Sequence, residues 1–358
     1  NIAKICGNLN FSIHALYISS TAVDQFNNNI YTSTPLLSNV SIFNSTTCSI
    51  TDSIEVGSIP INITVDQKTG YVYVVNEGSN NISVIDPTTE KIISSINVGS
   101  SPDSSIYDPI NNLIYVANEG SNNISVINTI SNKVLIPSIN VGNDPKHMIF
   151  VPQNNLIYVD YLNSNNISVI NTTTNTIVKT IGMPNIVFNT PSNMAYCAKT
   201  ESIYVLGYHS NISIISTNSN DIIKTIYPYG LYTSCCNISL DPSNNTLMLK
   251  SQNWRLYVMN LSTDTYISYI QFGWYEDCHS MSRCELVFAS NPYSNMEFGL
   301  QINPNGAINV YSFNVINPNH QAPLDLFPII VIVSIVSVIA IVIIWRKSVD
   351  MKYKDYTG

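Results

Sequence analysis

Charge is what this chain has least of. Asp, Glu, Lys and Arg make up only 11% of its 358 residues, against roughly 25% in ordinary soluble domains. The net charge is −8, and the few basic residues are scattered until the end of the chain. That excludes the basic patch that nucleic-acid binding requires. Histidine is scarcer still, with His14, His147, His209, His279 and His320 as the full set. There is no HExxH, no Gly-rich phosphate loop and no Ser/His/Asp order, so the common zinc-protease, nucleotide-binding and serine-hydrolase chemistries have no foothold. We expect no catalytic, cofactor-binding or metal-binding residue and no cofactor. Asn, Ser and Thr supply the polarity instead. A surface with so few ionisable groups changes little in charge as pH falls, which suits an acidic medium.

What the chain does have is a repeat. Tyr73-Val74-Val75-Asn76-Glu77-Gly78-Ser79-Asn80-Asn81-Ile82-Ser83-Val84-Ile85-Asp86 returns 42 residues later as Tyr115-Val116-Ala117-Asn118-Glu119-Gly120-Ser121-Asn122-Asn123-Ile124-Ser125-Val126-Ile127-Asn128. A looser copy begins at Tyr158. Marker positions 31, 73, 115, 158, 204 and 248 extend the period in both directions, and a seventh, degenerate unit covers Glu285–Phe288, Met296–Leu300 and Ile308–Phe313. A period of this length means an array of like units. Short β-branched and aromatic runs parted by Asn, Gly, Ser and Pro read as strands and turns. Residues 98–140 predict four strands: one after Pro102, then Leu113–Ala117, Ile124–Ile127 and Lys133–Ile139. A Val-Gly or Ile-Gly step (Gly57, Gly99, Gly142, Gly182) leads into the next unit. The expected fold is all-β: a seven-bladed β-propeller of four-stranded blades over residues 1–314. The last unit shows three strands, and Ile2–Gly7 is expected to supply the fourth, pairing the chain's two ends.

These motifs resemble the YVTN family of β-propeller repeats, common in archaeal and bacterial surface proteins. The resemblance covers roughly residues 12–314 and is carried by Tyr73-Val74-Val75-Asn76 and Tyr115-Val116-Ala117-Asn118; units four to seven lack the Asn at that place. It implies fold and surface location, and no single activity.

After a short linker, 315–325, comes an uncharged run, Leu326–Trp345, followed by Arg346, Lys347, Lys352 and Lys354. Twenty apolar residues span roughly 30 Å as a helix. We expect one C-terminal transmembrane α-helix over 326–345 and a basic cytoplasmic tail over 346–358, with the propeller outside. Ser334, Ser337 and Ala340 recur at threes, a spacing that could make a helix-packing face. Asn1 in place of an initiating Met is expected to follow a removed signal peptide.

An exported domain meets glycosylation machinery. Asn-X-Ser/Thr acceptors occur at Asn10, Asn39, Asn44, Asn62, Asn81, Asn123, Asn166, Asn171, Asn211, Asn237, Asn244 and Asn260. Asn39, Asn81, Asn123, Asn166 and Asn211 hold the same place in successive units. Either glycans crowd one rim, or Asn there is simply turn chemistry, or both. There are 7 cysteines, and outside the membrane disulfides are their default use. Cys278 and Cys284 could close a loop, or pair across blades with Cys235 and Cys236. Cys235, Cys236, Cys278, His279 and Cys284 as soft metal ligands lack standard zinc spacing. Glu77 and Glu119 recur at one turn, with Asp160 near the equivalent place; paired carboxylates could bind calcium or act as acid and base, but their recurrence with the repeat favours solvated turn residues.

Composition and pattern therefore favour a membrane-anchored, N-glycosylated surface platform for protein or glycan partners, not an enzyme. The alternatives are an accessory subunit of a respiratory or transport complex and, third, an extracellular propeller hydrolase, lyase or oxidoreductase working at the central tunnel.

Overall fold

The computed structural model of the protein describes residues 19–24, 27, 29–44, 49–162, 164–183, 194–207, 211–226, 235–241, 246–251, 255–263, 265–271, 286–290, 296–302, 308–314, 329–335 and 338–344. Ile2–Gly7, expected to complete the last unit, lies outside them.

Each repeat forms one antiparallel sheet whose strands pair in sequence order. The first sheet is Ser20–Asp24, Asn29–Thr34, Asn39–Asn44 and Ser49–Glu55. Five more four-stranded sheets follow, opening at Pro60, Pro102, Pro145, Met194 and Cys235; a three-stranded sheet, Leu286–Ser290, Met296–Ile302 and Ile308–Asn314, comes last. The third sheet, Pro102–Asp108, Leu113–Asn118, Asn123–Asn128 and Lys133–Asn140, matches the predicted strands to within a residue or so.

The second and third strands read as unbroken apolar runs because both faces of each sheet are covered. Along Leu113–Asn118 the side chains alternate. Ile114 and Val116 pack with Tyr73, Val75 and Val84 of the second sheet, while Tyr115 and Ala117 pack with Ile157, Val159 and Ile170 of the fourth. The same exchange continues between the fourth and fifth sheets and between the fifth and sixth. Burial grades across each sheet. First strands are half-buried, second strands buried, and fourth strands largely exposed. The first strands of successive sheets adjoin, and Leu286–Ser290 adjoins Ser20–Asp24, so the series returns to its start. The outer strands expose Ile93, Leu135, Val178 and Ile223 but also carry Lys91, Lys133, Lys179 and Lys224, charges that discourage edge-to-edge pairing.

Each letter of the repeat has a task. Tyr73, Tyr115 and Tyr158 are fully buried, and each donates its hydroxyl to an asparagine of the next sheet. Tyr73 reaches Asn132 Oδ1 at 2.6 Å, Tyr115 reaches Asn175 Oδ1 at 2.5 Å, and Tyr158 reaches Asn220 Oδ1. All three asparagines have positive φ, a conformation their short polar side chain tolerates. Burial pushes the tyrosine phenols up, Tyr158 to about 12, which keeps them as donors.

At the opposite end of the sheet, buried Asn118 donates Nδ2 to Asn123 Oδ1 at 2.8 Å and to Ser125 Oγ at 2.9 Å, and its own Oδ1 accepts from Gly99 N at 3.1 Å. Asn76 bonds Asn81 and Ser83 in the same way. In the turn between, Asn80 and Asn122 adopt positive φ and accept from Ser101 N and Asp144 N of the following sheet. The Gly step follows from this crowding. A Cβ on Gly99 would lie 2.5 Å from Ser121 Oγ and 2.7 Å from Asn118 Cβ. Gly99→Ala is therefore expected to cost about 1–3 kcal/mol of stability, read as a lower denaturant midpoint, whereas Gly182→Ala, whose Cβ would meet only Asn166 Oδ1 at 3.8 Å, should cost less.

The C-terminal run takes a form other than the expected helix. No helix among the described residues is long and apolar enough to cross a membrane. Residues Ile329–Ile335 and Val338–Ile344 instead pair as an antiparallel hairpin, with Ile335 opposite Val338, beside the last strand of the seventh sheet and near the first sheet's outer strand. The run is almost wholly Ile and Val, β-branched residues that suit a pleated strand as well as they suit a helix in lipid.

Candidate functional site

Several charged departures from the repeat meet at the seam between the third and fourth sheets. In the second, third and fourth sheets the first strand carries a β-bulge just after its opening proline, at Ile61, Asp103 and Lys146. Bulges re-aim side chains and recur beside functional sites. Here they bring Asp103 and Lys146 of neighbouring sheets together, Nζ to Oδ1 at 3.0 Å, and Lys146 also reaches Glu119 Oε2 at 3.2 Å. Ser104 Oγ donates to the Lys146 carbonyl across the same seam.

The next position along pairs with the second strand. It is Asn62 opposite Val75, then Ser104 opposite Ala117; in the fourth sheet His147 and Asp160 take these places. Asp160 stands where the second and third sheets have the apolar, buried Val75 and Ala117, and its side chain is only 2% exposed. Its Oδ1 accepts from His147 N at 2.9 Å and lies 3.2 Å from His147 Nδ1. A carboxylate so placed fixes Nδ1 as the protonated nitrogen and turns Nε2 outward. The imidazole keeps 27% of its surface exposed.

Charges here shift one another. Burial disfavours the imidazolium of His147, but the charge and hydrogen bond of Asp160, with Asp103 beyond, outweigh it and hold its pKa above the ordinary value. Burial also raises the Asp103 carboxyl, with Lys146 pulling the other way. Lys146 loses by burial and gains more from Asp103 and Glu119, for a net rise. By contrast, at the corresponding place the inner strands of the second and third sheets are joined by neutral groups: Thr64 Oγ1 to Ser105 Oγ at 2.7 Å, and Ser105 N to Asn62 Oδ1 at 3.1 Å, while the charged Lys68 crosses the same seam elsewhere, to Asn112 Oδ1.

Two readings from sequence change. Asp160 is a buried strand residue, not a solvated turn, and Glu119 is half-buried in an ion pair. The signal that would have found them is the loss of an apolar side chain at position 160, where Val75 and Ala117 set the rule. No group of three or more His, Cys, Asp or Glu that could hold a metal occurs among the described residues.

The glycan acceptors are spread. Asn39, Asn81, Asn123 and Asn166 each open a third strand, and Asn211 directly precedes one. In the second and third sheets the recurring Asn-Ile-Ser is fold chemistry, since its Asn and Ser both accept from Asn76 or Asn118. Only the oxygen is used that way. Asn81 Nδ2 points to Ser95 Oγ at the exposed surface, and Asn166 is exposed. Asn62 faces the inner strands, its Oδ1 held by Ser105. Asn44, Asn171 and Asn260 close third strands at the other end of their sheets, and Asn171 and Asn260 cap turns through Oδ1. Asn237 lies on the sixth sheet's first strand. Asn10, Asn244, Cys278, His279 and Cys284 are outside the described residues. Cys235 and Cys236 open that same first strand, and Cys197 is a buried free thiol.

No family model matches the chain, and no curated protein matches it. Solved structures do. The chain is similar to the Kuenenia stuttgartiensis hydrazine synthase structure at 16% identity, covering 86% of this chain and 98% of that one, with a TM-score of 0.69. It is also similar to KlHsv2 with loop 6CD replaced by a Gly-Ser linker, at 15% identity, 86% and 96% coverage and a TM-score of 0.62. The fold is a β-propeller. At such identities the likeness carries architecture alone: the half-buried first strands adjoin one another, the place that surrounds the central channel in a β-propeller, and the Asp103–Lys146–Glu119 and His147–Asp160 groups lie at the end where those strands begin.

Proposed function

We propose that this protein is a closed, seven-bladed propeller of YVTN-repeat type, held outside the cell on a membrane anchor and serving as an N-glycosylated interaction platform. The observation that carries the reading is the 20-residue run Leu326–Trp345, free of charge and followed directly by Arg346 and Lys347. A two-stranded hairpin in lipid would leave its outer N–H and C=O groups unpaired at several kcal/mol each, so insertion requires the helical form of this run. The return of the seventh sheet to the first supports closure. The outward Nδ2 of Asn81 and the exposed Asn166 support glycan attachment on the face that carries the channel mouth.

The test is extraction of the full chain from membranes of its native host. The protein should stay with the membrane in alkaline carbonate, and a chain lacking 326–345 should be released. Glycopeptides spanning Asn81 and Asn166 should be found by mass spectrometry. Release of the full chain as readily as the truncated one would end the anchoring reading.

A second reading, an extracellular enzyme working at the channel, draws on the His147–Asp160 pair, whose oriented imidazole could take a proton. It predicts a turnover abolished by His147→Gln. Function as an accessory subunit of a membrane complex would show as stoichiometric co-purification in mild detergent.

A further inference from the structure

The seam between the third and fourth sheets is built unlike the seam before it. Between the second and third sheets, neutral hydroxyls and an amide join the inner strands at the corresponding place, the charged Lys68 crossing only farther along, to Asn112. Between the third and fourth, the join passes through bulged Lys146 to Asp103 and Glu119, and the bulge itself is held by Asp160, which grips both the main-chain N–H and the ring of His147. We propose that this seam is a proton-operated latch at the channel mouth: charged His147 neutralises buried Asp160 and keeps the bulge closed, and loss of that proton lets the Pro145–Met148 segment open.

The logic is electrostatic. Asp160 is nearly without solvent, and a buried carboxylate is costly unless paired. Neutral His147 still hydrogen-bonds, but it contributes no positive charge to the pair. The groups that bear on the imidazole are Asp160 on the paired strand, Asp103 on the third sheet's first strand and Lys146 beside it, with Glu119 acting through Lys146. The adjoining second strand of the third sheet brings Tyr115, and the fifth sheet's first strand, Met194–Cys197, brings Tyr196 and buried Cys197; burial pushes both tyrosines up and keeps them neutral. The sign is fixed by direction. A histidine whose folded pKa is raised stabilises fully below its ordinary value of 6.5 and loses that contribution as pH rises through the folded value. Raised Asp103 adds in the same sense at lower pH, so the latch is tightest in acid. This inference does not depend on the membrane or glycan reading.

Hydrogen exchange of the full chain between pH 5 and pH 8, corrected for intrinsic rates, tests it. Peptides covering 144–149 and 158–162 should lose protection as pH rises across that range, by at most about tenfold per pH unit for one linked proton. Peptides covering 60–65 and 72–76, in the neutral seam, should hold their protection. His147→Gln should abolish the pH dependence at 144–149. Equal behaviour of the two seams in the unmodified chain overturns the proposal, even if the variant fails to fold, and so does a pH dependence that survives in His147→Gln.

Discussion

Tyr115→Ala is expected to destabilise the propeller by about 3–5 kcal/mol, the cost of emptying a buried aromatic site. The ring has no exposed surface and packs between the third and fourth sheets. Its hydroxyl donates to Asn175 Oδ1 at 2.5 Å, with the Thr172 carbonyl at 3.3 Å, so the substitution removes packing and a clasp between sheets together. Tyr115→Phe keeps the ring and loses only the donor, for which about 1 kcal/mol is expected. Urea unfolding followed by circular dichroism separates the two. If the alanine variant cost no more than the phenylalanine variant, the inter-sheet packing described for this position would be wrong. Tyr73 and Tyr158 make the same clasp to Asn132 and Asn220 and should respond alike.

Asp160→Ala should cost about 3 kcal/mol, the low end of what breaking a buried charge pair costs, because His147 is partly exposed and can shed its proton. The informative comparison is a double variant. The second sheet solves the same two positions with Asn62 and Val75. His147→Asn with Asp160→Val therefore restores the neutral solution, and its cost should fall well below the sum of the single changes, near neutral or stabilising. The single change Asp160→Val leaves His147 without its carboxylate and should resemble Asp160→Ala. Denaturant midpoints of the four proteins at pH 6 decide this. Additive costs would mean that His147 and Asp160 do not act as a pair.

Much of this architecture can be read along the chain. Tyr73 and Asn76 return 42 residues later as Tyr115 and Asn118 because the second and third sheets make the same two connections, one to the neighbouring sheet and one to their own third strand. Local strand chemistry agrees with the period, which is why Leu113–Asn118 and Asn123–Asn128 fall where β-branched runs place them. The charged mouth was not legible in the same way. Asp103 and Lys146 are 43 residues apart and meet only because successive bulges face one another across a seam. Glu119 looked like a solvated turn residue because its turn repeats, yet Lys146 from the next sheet reaches it.

The apolar end of the chain shows the opposite limit. An uncharged run of Ile and Val is compatible with a membrane helix by length and with paired strands by β-branching, and the structure pairs Ile329–Ile335 with Val338–Ile344. Sequence periodicity by itself determined the number and order of like units and the places of their strands and turns, because those features repeat at near-constant spacing. Only the tertiary structure decided which departures from the repeat meet. His147 finds Asp160 through strand pairing, and Lys146 finds Asp103 through the stacking of sheets, and neither distance is written in a period.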